Sequence, residues 1–329
     1  MRRCPLARQK LEVTLETVTP LFLAGADGKT PELRPPSFRG AMRFWLRALL
    51  GGVLGDDVEA MHREESRVFG STESASPVVV QTAALNGGLK PGERRPLPHS
   101  KKFTSPVFLE GGEFSLTLAA RPGQQLPVQV LAALLLMLNL GGVGKRSRRG
   151  FGSLQVVKAE AEGLDLPEEV ESLLEGQPGD GQALVQHLTK VVSVARSLVN
   201  VSGGSPYALD ALPDYPLLSS DHALVLVCKH AFPLSQSSYE QAMVDFWRKV
   251  LRHKDHRDDR AYGYAKGGRR ASPFILHLWR TKAGYHFVLT AFRSVPLPAG
   301  EPGWEKVMGL LKACRENWQG EYIFGKGGW

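Results

Sequence analysis

An apolar segment at 127–142, PVQVLAALLLMLNLGG, constrains the fold of this chain more than any other feature of its sequence. Its polar side chains are limited to Gln129 and Asn139, so a helix formed from it has almost no polar face. The segment is shorter than the roughly 20 apolar residues that a membrane-spanning helix needs, and no other apolar run is long enough. The sequence therefore predicts a helix that packs deep against a sheet of the same protein.

Strand and helix patterns surround this segment in a recognisable order. Apolar and polar alternation predicts β-strands at 11–23, 76–85, 113–120 and 150–159. Two helical stretches, at about 37–51 and 57–69, lie between the first and second strands. With the apolar helix between the third and fourth strands, the order is βαββαβ, which is the arrangement of ferredoxin-like domains.

The same order returns, more loosely, in the second half of the chain. Strands are predicted at 222–231, 273–280 and 285–293, with a last one in 321–329, and helices at 237–253 and 303–318. We therefore predict an α+β protein with two ferredoxin-like (RRM-like, βαββαβ) domains. The predicted divisions are a first domain at 10–160, a linker and helical region at 161–220, and a second domain at 221–329.

Composition limits the class of protein and its partners. A hydrophobic content of 43% with 22% charged residues is typical of a soluble globular chain. The net charge of +8 favours polyanions, with nucleic acid first and an anionic membrane second. Cys4, Cys228 and Cys314 lie far apart and form no CxxC pair, so neither a zinc ribbon nor a disulfide framework is indicated. The basic start has no apolar stretch behind it, and we expect a cytoplasmic protein.

The first of three basic segments is the helix at 37–51. Arg39, Arg43 and Arg47 recur every four residues, and no acidic residue follows them until Asp56. At about 100° per residue they share one stripe, well separated from an apolar stripe. The apolar stripe consists of Phe38, Met42, Trp45 and Leu49. This pattern predicts an amphipathic helix whose solvent face is cationic and without acidic partners.

The second basic segment, GGVGKRSRRGFG at 141–152, combines glycines with four cations and contains no acid. Glycines let backbone N–H groups turn toward an anion, so the segment resembles a phosphate cradle. A Walker loop is excluded, because Asn139 and Arg146 stand where that motif requires glycine and Ser/Thr. An RNP1 motif is also excluded, because Ser153 replaces the base-stacking aromatic. A solvated basic turn is the alternative. The candidate RNA-binding residues here are Gly141, Gly142, Gly144, Lys145, Arg146, Arg148 and Arg149.

The third basic segment, 252–273, interleaves tyrosines with cations, a composition that suits stacked bases along a charged backbone path. Lys266, Arg269 and Arg270 are its candidate RNA-binding residues. Its HKDHRDD run offers His253 and His256, with three aspartates, as metal ligands or as an acid–base pair. Mixed runs of this kind are usually solvated loops, so no metal site and no catalytic residue is predicted.

Several of these segments together resemble the RAMP superfamily of CRISPR effector proteins, and more narrowly the first-numbered Cmr subunit of type III-B complexes. The resemblance extends from about residue 11 to 292 and leaves out 160–220. It is carried by 19–52, 63–80, 141–154 and 269–280. The family implies two ferredoxin-like folds, no cofactor and no small-molecule substrate. It also implies a place beside other Cmr subunits in a ribonucleoprotein that binds guide (CRISPR) RNA and matches it to target RNA.

Three functions remain open from the sequence. The resemblance favours a non-catalytic RNA-binding subunit, since target cleavage in this family is assigned to a different subunit. The first alternative is a RAMP endoribonuclease that processes guide-RNA precursors, for which His62 and His99 are the nearest histidines to the basic segments. The second is a structural subunit that binds only protein. If the protein binds RNA, we expect the arginine stripe and the glycine-rich loop to form one continuous surface that contacts the phosphates, which we call the phosphate track.

Overall fold

The computed structural model describes residues 8–55, 57–97, 103–199, 212–234, 238–251, 260–263, 271–294 and 303–325. The helices are α1 (Pro35–Leu54), α2 (Val58–Phe69), α3 (Val128–Leu140), α4 (Glu168–Glu175), α5 (Gly181–Ser197), α6 (Tyr239–Phe246) and α7 (Gly303–Trp318). The strands of the first half are β1 (Lys10–Thr17), β2 (Val78–Ala84), β3 (Pro91–Arg94), β4 (Ser105–Phe108), β5 (Glu113–Ala120) and β6 (Leu154–Glu162). Those of the second half are β7 (Ala223–Cys228), β8 (Phe274–Arg280), β9 (Tyr285–Phe292) and β10 (Gly320–Phe324).

The first sheet has the strand order β2-β5-β1-β6, and its neighbouring strands are antiparallel. Strand β1 lies in the middle and pairs with both β5 and β6, so that Val13 faces Leu116 on one side and Ala159 on the other. Leu11, Val13 and Leu15 are fully buried, which places one face of β1 in the core. With α1 and α2 after the first strand and α3 before the last, this is the ferredoxin-like topology.

The second sheet has the order β10-β7-β9-β8 and is also antiparallel. Helix α6 connects β7 to β8, β8 and β9 form a hairpin, and α7 connects β9 to β10. Its strand order therefore matches that of the first sheet, element for element. The predicted α+β class is confirmed, and each of the two sheets has the strand order of a ferredoxin-like domain.

Helix α3 lies between the two domains. Every residue from Val130 to Leu140 is buried, since the helix packs against α1 and α5 and also touches β6, β8 and β9. The indole N–H of Trp279 on β8 donates a hydrogen bond to the Asn139 carbonyl (3.2 Å). The uniformly apolar sequence of α3 follows from this position. One buried cluster of side chains spans both halves, and the domain boundaries at 160 and 220 stay a prediction.

The structure differs from the sequence interpretation in three places. Strand β1 ends at Thr17 instead of continuing to 23, because the chain bends at Val18 and Thr19, just before Pro20, and among residues 18–23 only Leu21 forms a bridge, with Phe108. The segment 86–102, between the second and third predicted strands, has no predicted strand but contains β3, which pairs with β4. The start of the predicted linker and helical region at 161–220 forms α4, whose Val170, Leu173 and Leu174 are buried in a helical spacing.

Candidate nucleic-acid interface

The glycine-rich loop, residues 141–152, leaves the end of α3 and is closed by backbone hydrogen bonds. The Val143 N–H donates to the Gly152 carbonyl (3.1 Å) and the Lys145 N–H to the Phe22 carbonyl (2.9 Å). The Gly152 N–H donates to the carbonyl of Pro20 (3.0 Å). The bend that ends β1 is thus the surface on which the loop is held, and its backbone has one defined path.

The glycines of this loop are required by the protein itself. Gly144 has a φ of +90°, and a Cβ there would lie 2.6 Å from the Phe22 carbonyl oxygen. A Cβ on Gly142 would lie 2.8 Å from the Phe151 carbonyl oxygen, and one on Gly141 would overlap the indole nitrogen of Trp45. From the sequence, these glycines are expected to let backbone N–H groups turn toward an anion. Their own packing is a sufficient reason for each of them.

Two of the four loop cations fasten the loop to the second domain. The Arg148 guanidinium donates to the Ser272 carbonyl (2.7 Å), and the Leu276 N–H of β8 donates to the Arg148 carbonyl (3.3 Å). The Arg149 guanidinium donates to the Tyr262 carbonyl and lies 4.7 Å from the centre of the Phe274 ring. Burial, with the nearby charges of two other arginines, lowers the pKa of Arg149 to about 10. Both side chains are therefore largely committed to contacts within the protein.

The other two cations of the loop, Lys145 and Arg146, are exposed. Beside them, the backbone N–H groups of Gly142, Gly144 and Arg146 have no hydrogen-bond acceptor in the described part of the chain. Arg146 itself has a positive φ of 66°, which turns the backbone of the loop at this position. Free N–H groups next to exposed cations form a site suited to phosphate oxygens.

A pocket of about 510 Å³, which we call the loop pocket, lies between this loop and α1. One wall comes from α1, the opposite wall from the loop and the 22–24 segment, and Ile275 of β8 contributes from the second domain. Most of the lining is apolar or aromatic, while Ser37, Lys145, Ser147 and Arg148 supply polar side chains. The lining consists of Phe22, Leu23, Ala24, Ser37, Ala41, Phe44, Trp45, Gly141, Gly142, Gly144, Lys145, Ser147, Arg148 and Ile275.

The arginine stripe of α1 is not without partners, so that part of the prediction is wrong. Arg43 and Arg47 both form ion pairs with Glu65 of α2, through opposite oxygens of its carboxylate, the second at 3.2 Å. The Arg39 guanidinium donates to the Val78 carbonyl (3.0 Å). The partner was missed because Glu65 belongs to the next helix, and it reaches the stripe only through the packing of α2 on α1.

The predicted continuous track from this stripe to the loop is also wrong. The loop faces the side of α1 that carries Ser37, Ala41 and Phe44. At 3.6 residues per turn, Arg39, Arg43 and Arg47 lie on the other side of the helix. The two basic features therefore belong to different surfaces of the first domain, and the RNA-binding role of these three arginines stays a prediction.

Two histidines that the sequence analysis did not single out lie near the start of the loop. His277 of β8 is fully buried, with its Nδ1 bonded to the Gly141 carbonyl, and burial lowers its pKa to about 4. His187 of α5 contacts the Asn139 side chain (3.2 Å), and burial lowers its pKa to about 4 as well. Both are neutral at pH 7. No sequence signal could have placed them there, since β8 and α5 are distant in the chain.

Some predicted residues cannot be placed. Lys266, Arg269, Arg270, His99 and the HKDHRDD run with His253 and His256 lie outside the described residues. Within the described ranges, no group of three or more His, Cys, Asp or Glu side chains is arranged to hold a metal ion. Across the same ranges, none of the helices is both long enough and apolar enough to cross a membrane.

Comparison with known proteins gives consistent similarities. The family described as the RAMP superfamily matches residues 14–155. The CRISPR system Cmr subunit Cmr1-2 of Pyrococcus furiosus is 33% identical, in an alignment that covers 43% of this chain and 92% of the relative. Cmr1-1 of the same organism is 31% identical, over 47% of this chain and 49% of the relative.

Two solved structures have a similar fold over nearly the whole chain. The apo crystal structure of Cmr1 from Pyrococcus furiosus has a TM-score of 0.63 at 22% identity, covering 96% of this chain and 99% of that one. A chain in a cryo-EM structure of type III-B Cmr-beta, bound to cognate target RNA and AMPPnP, has a TM-score of 0.64 at 12% identity. That match covers 95% of this chain and 100% of the other.

Proposed function

Because this chain belongs to the Cmr1 family of the RAMP superfamily, we propose that it is a non-catalytic RNA-binding subunit of a type III-B CRISPR (Cmr) effector. In this role it holds guide RNA, target RNA or both in antiviral defence, in contact with other Cmr subunits. The sequence similarity to two Cmr1 proteins supports the assembly, and the geometry of the glycine-rich loop supports the RNA.

The observation that carries the RNA-binding proposal is the arrangement of the loop. Exposed Lys145 and Arg146 stand beside the free N–H groups of Gly142 and Gly144, on a backbone fixed from both domains. Such a surface binds phosphates without reordering, and phosphate contacts read no base sequence. Arg148 and Arg149 add positive potential while they hold the loop in place.

The other cations of the predicted interface enter the proposal differently. Arg39, Arg43 and Arg47 lie across α1 from the loop, so RNA that contacts them uses a second surface of the first domain. Lys266, Arg269 and Arg270 keep their predicted RNA-binding role as part of the 252–273 segment. The loop alone is sufficient to test the proposal.

Cleavage of guide-RNA precursors by this chain is less well supported. Metal-independent RNA cleavage needs a base that can reach the reacting hydroxyl group. His277 and His187, which lie near the loop, are buried and held in the neutral form by burial. His62 is exposed on α2 but does not line the loop pocket. These placements favour the non-catalytic role.

The proposal is tested by the salt dependence of RNA binding to the isolated protein. Log affinity for single-stranded RNA falls with log salt by roughly 0.7 per phosphate neutralised. We expect the Lys145→Glu/Arg146→Glu double variant to bind more weakly and with a smaller slope. The matched control, Lys282→Glu/Lys312→Glu, makes the same change in net charge at exposed positions away from the loop.

Two results would overturn this proposal. One is affinity of the native protein that does not depend on salt. The other is an equal loss of affinity in the loop variant and in the control, which would mean that only the net charge matters. Normal RNA binding by the loop variant together with detachment of a neighbouring Cmr subunit would assign the loop to a protein interface.

A further inference from the structure

We propose that the loop pocket receives one unpaired nucleobase of the bound RNA strand, while the phosphate of that nucleotide lies on the glycine-rich loop. This inference rests on the proposed function and adds the form in which the RNA is bound. It makes the ligand a single strand with one base turned out of the stack, rather than a duplex or a bare polyanion.

The size and lining of the pocket are the first reason to place a nucleobase in it. Its volume of about 510 Å³ falls within the roughly 300–1,000 Å³ of typical small-molecule sites. Ala41, Phe44 and Trp45 of α1 and Ile275 of β8 give it an apolar wall. A surface that only follows phosphates needs no such wall. The faces of a nucleobase are apolar, and proteins that bind single-stranded RNA commonly place splayed bases against aromatic and arginine side chains.

Trp45 offers a hydrogen-bond donor to a base in the pocket, which is the second reason. Its side chain lines the pocket although the residue is only 2% exposed, and it is therefore part of the pocket floor. Its indole N–H has no hydrogen-bond acceptor among the described residues, whereas the indole N–H of Trp279 donates to Asn139. Unlike the fully enclosed polar atoms of the core, this Nε1 retains contact with the pocket, so a bound group can accept its hydrogen bond. A carbonyl oxygen or ring nitrogen of a base is an acceptor of the required kind.

The third reason is that cationic and N–H groups for a phosphate lie beside the apolar part of the pocket. Lys145 and the free N–H groups of Gly142 and Gly144 lie on the loop wall, and apolar side chains from α1, from the 22–24 segment and from Ile275 form the rest of the pocket. A nucleotide offers a matching pair of groups, an anionic phosphate and a flat, weakly polar base. Inorganic phosphate would leave the α1 wall uncovered, and an acidic side chain would not fill the pocket.

The test uses RNAs that differ in bases but not in phosphates. Binding of the full-length protein is measured for a short, fully abasic RNA and for the same RNA with one base restored at its centre. Stacking of one base changes affinity about fivefold or more, so we expect the single base to tighten binding by at least that factor. The expected gain is independent of salt, because the number of phosphates is the same.

Variants then test whether the gain in affinity from the single base depends on the pocket. Ala41→Leu fills the pocket and should abolish the gain from the single base, while affinity for fully abasic RNA is unchanged. Ala60→Leu makes the same change on α2, outside the pocket lining, and should keep the gain. Trp45→Phe retains an aromatic ring without the N–H and should reduce the gain. Melting temperatures of the three variants confirm that each is folded.

Equal binding of the two RNAs by the native protein would overturn the inference, and so would an undiminished gain in Ala41→Leu. Neither result touches the proposed function, because salt-dependent binding of fully abasic RNA through Lys145 and Arg146 would remain. Failure of the proposed function is recognised separately, by the absence of salt-dependent binding to either RNA.

Discussion

Replacement of Glu65 by glutamine should destabilise the protein without weakening its binding to RNA. This carboxylate is only 6% exposed and pairs with both Arg43 (31% exposed) and Arg47 (52% exposed). The Arg47 pair, half exposed, contributes up to about 1 kcal/mol. The Arg43 pair is more buried and falls near the lower end of the roughly 1.5–3 kcal/mol of a hydrogen bond to a charged group.

Together these terms give a loss of about 2 kcal/mol for Glu65→Gln, which lowers the melting temperature of a 329-residue chain by roughly 3 °C. Urea denaturation and thermal melting measure both quantities. The control is Glu64→Gln, the same change in the adjacent residue, whose pair with the 73% exposed Arg67 should contribute under about 1 kcal/mol. RNA affinity should not fall, because the variant leaves the arginines more positive.

Equal stability of the two variants would refute this reasoning. It would mean that Arg43 and Arg47 gain nothing from Glu65 and behave as solvated cations, as the sequence alone suggested. A loss of RNA affinity in Glu65→Gln, at normal stability, would mean that the carboxylate orients the arginines for RNA.

Three further predictions concern the loop and its surroundings. Gly152→Ala should lower the free energy of unfolding by more than about 1 kcal/mol in urea denaturation, because φ is +66° and a Cβ would overlap the Val143 carbonyl. Unchanged stability would contradict the described loop path. Burial lowers the folded-state pKa of His277 and His187 to about 4. Below about pH 6.5 the unfolded chain binds protons on these histidines and the folded protein does not, so the free energy of unfolding decreases as pH falls from about 6.5 toward 4. A His187→Gln variant should lose less stability between pH 7 and pH 5 than the native protein, and an identical loss would show that this ring is not buried when folded. The purified protein should leave labelled single-stranded RNA intact with or without magnesium, and reproducible cleavage by it would contradict the non-catalytic role.

Local pattern was enough to predict most of the fold. The alternation in LEVTLET gives β1 a buried face, and the lack of polar residues in 127–142 gives α3 its burial on all sides. Strands β3 and β4 were missed because each has only four residues, one of them proline, and so short a segment shows no clear alternation. Helix α4 was missed because its many glutamates make the segment look like a polar linker, although three apolar residues with helical spacing are buried.

The candidate site was only partly predictable, since its contacts join residues far apart in the chain. The loop and its exposed cations follow from composition alone. The anchoring of Arg148 on Ser272, the sharing of Glu65 by two arginines, and the choice of the Ala41 face for the pocket depend on how helices and sheets pack. No periodicity in the sequence specifies such contacts.

The loop that leaves α3 is completed by β8, more than a hundred residues later. Arg148 is bonded to Ser272, Leu276 is bonded back to Arg148, and Ile275 closes the pocket from the second domain. The cradle is therefore a shared property of two halves, and a fragment that ends before β8 would carry the glycine-rich sequence without its shape. Substitutions along β8 can change the shape of the loop as directly as substitutions within it. The loop and β8 are therefore expected to have coevolved, with the residues of each restricting the substitutions that the other tolerates.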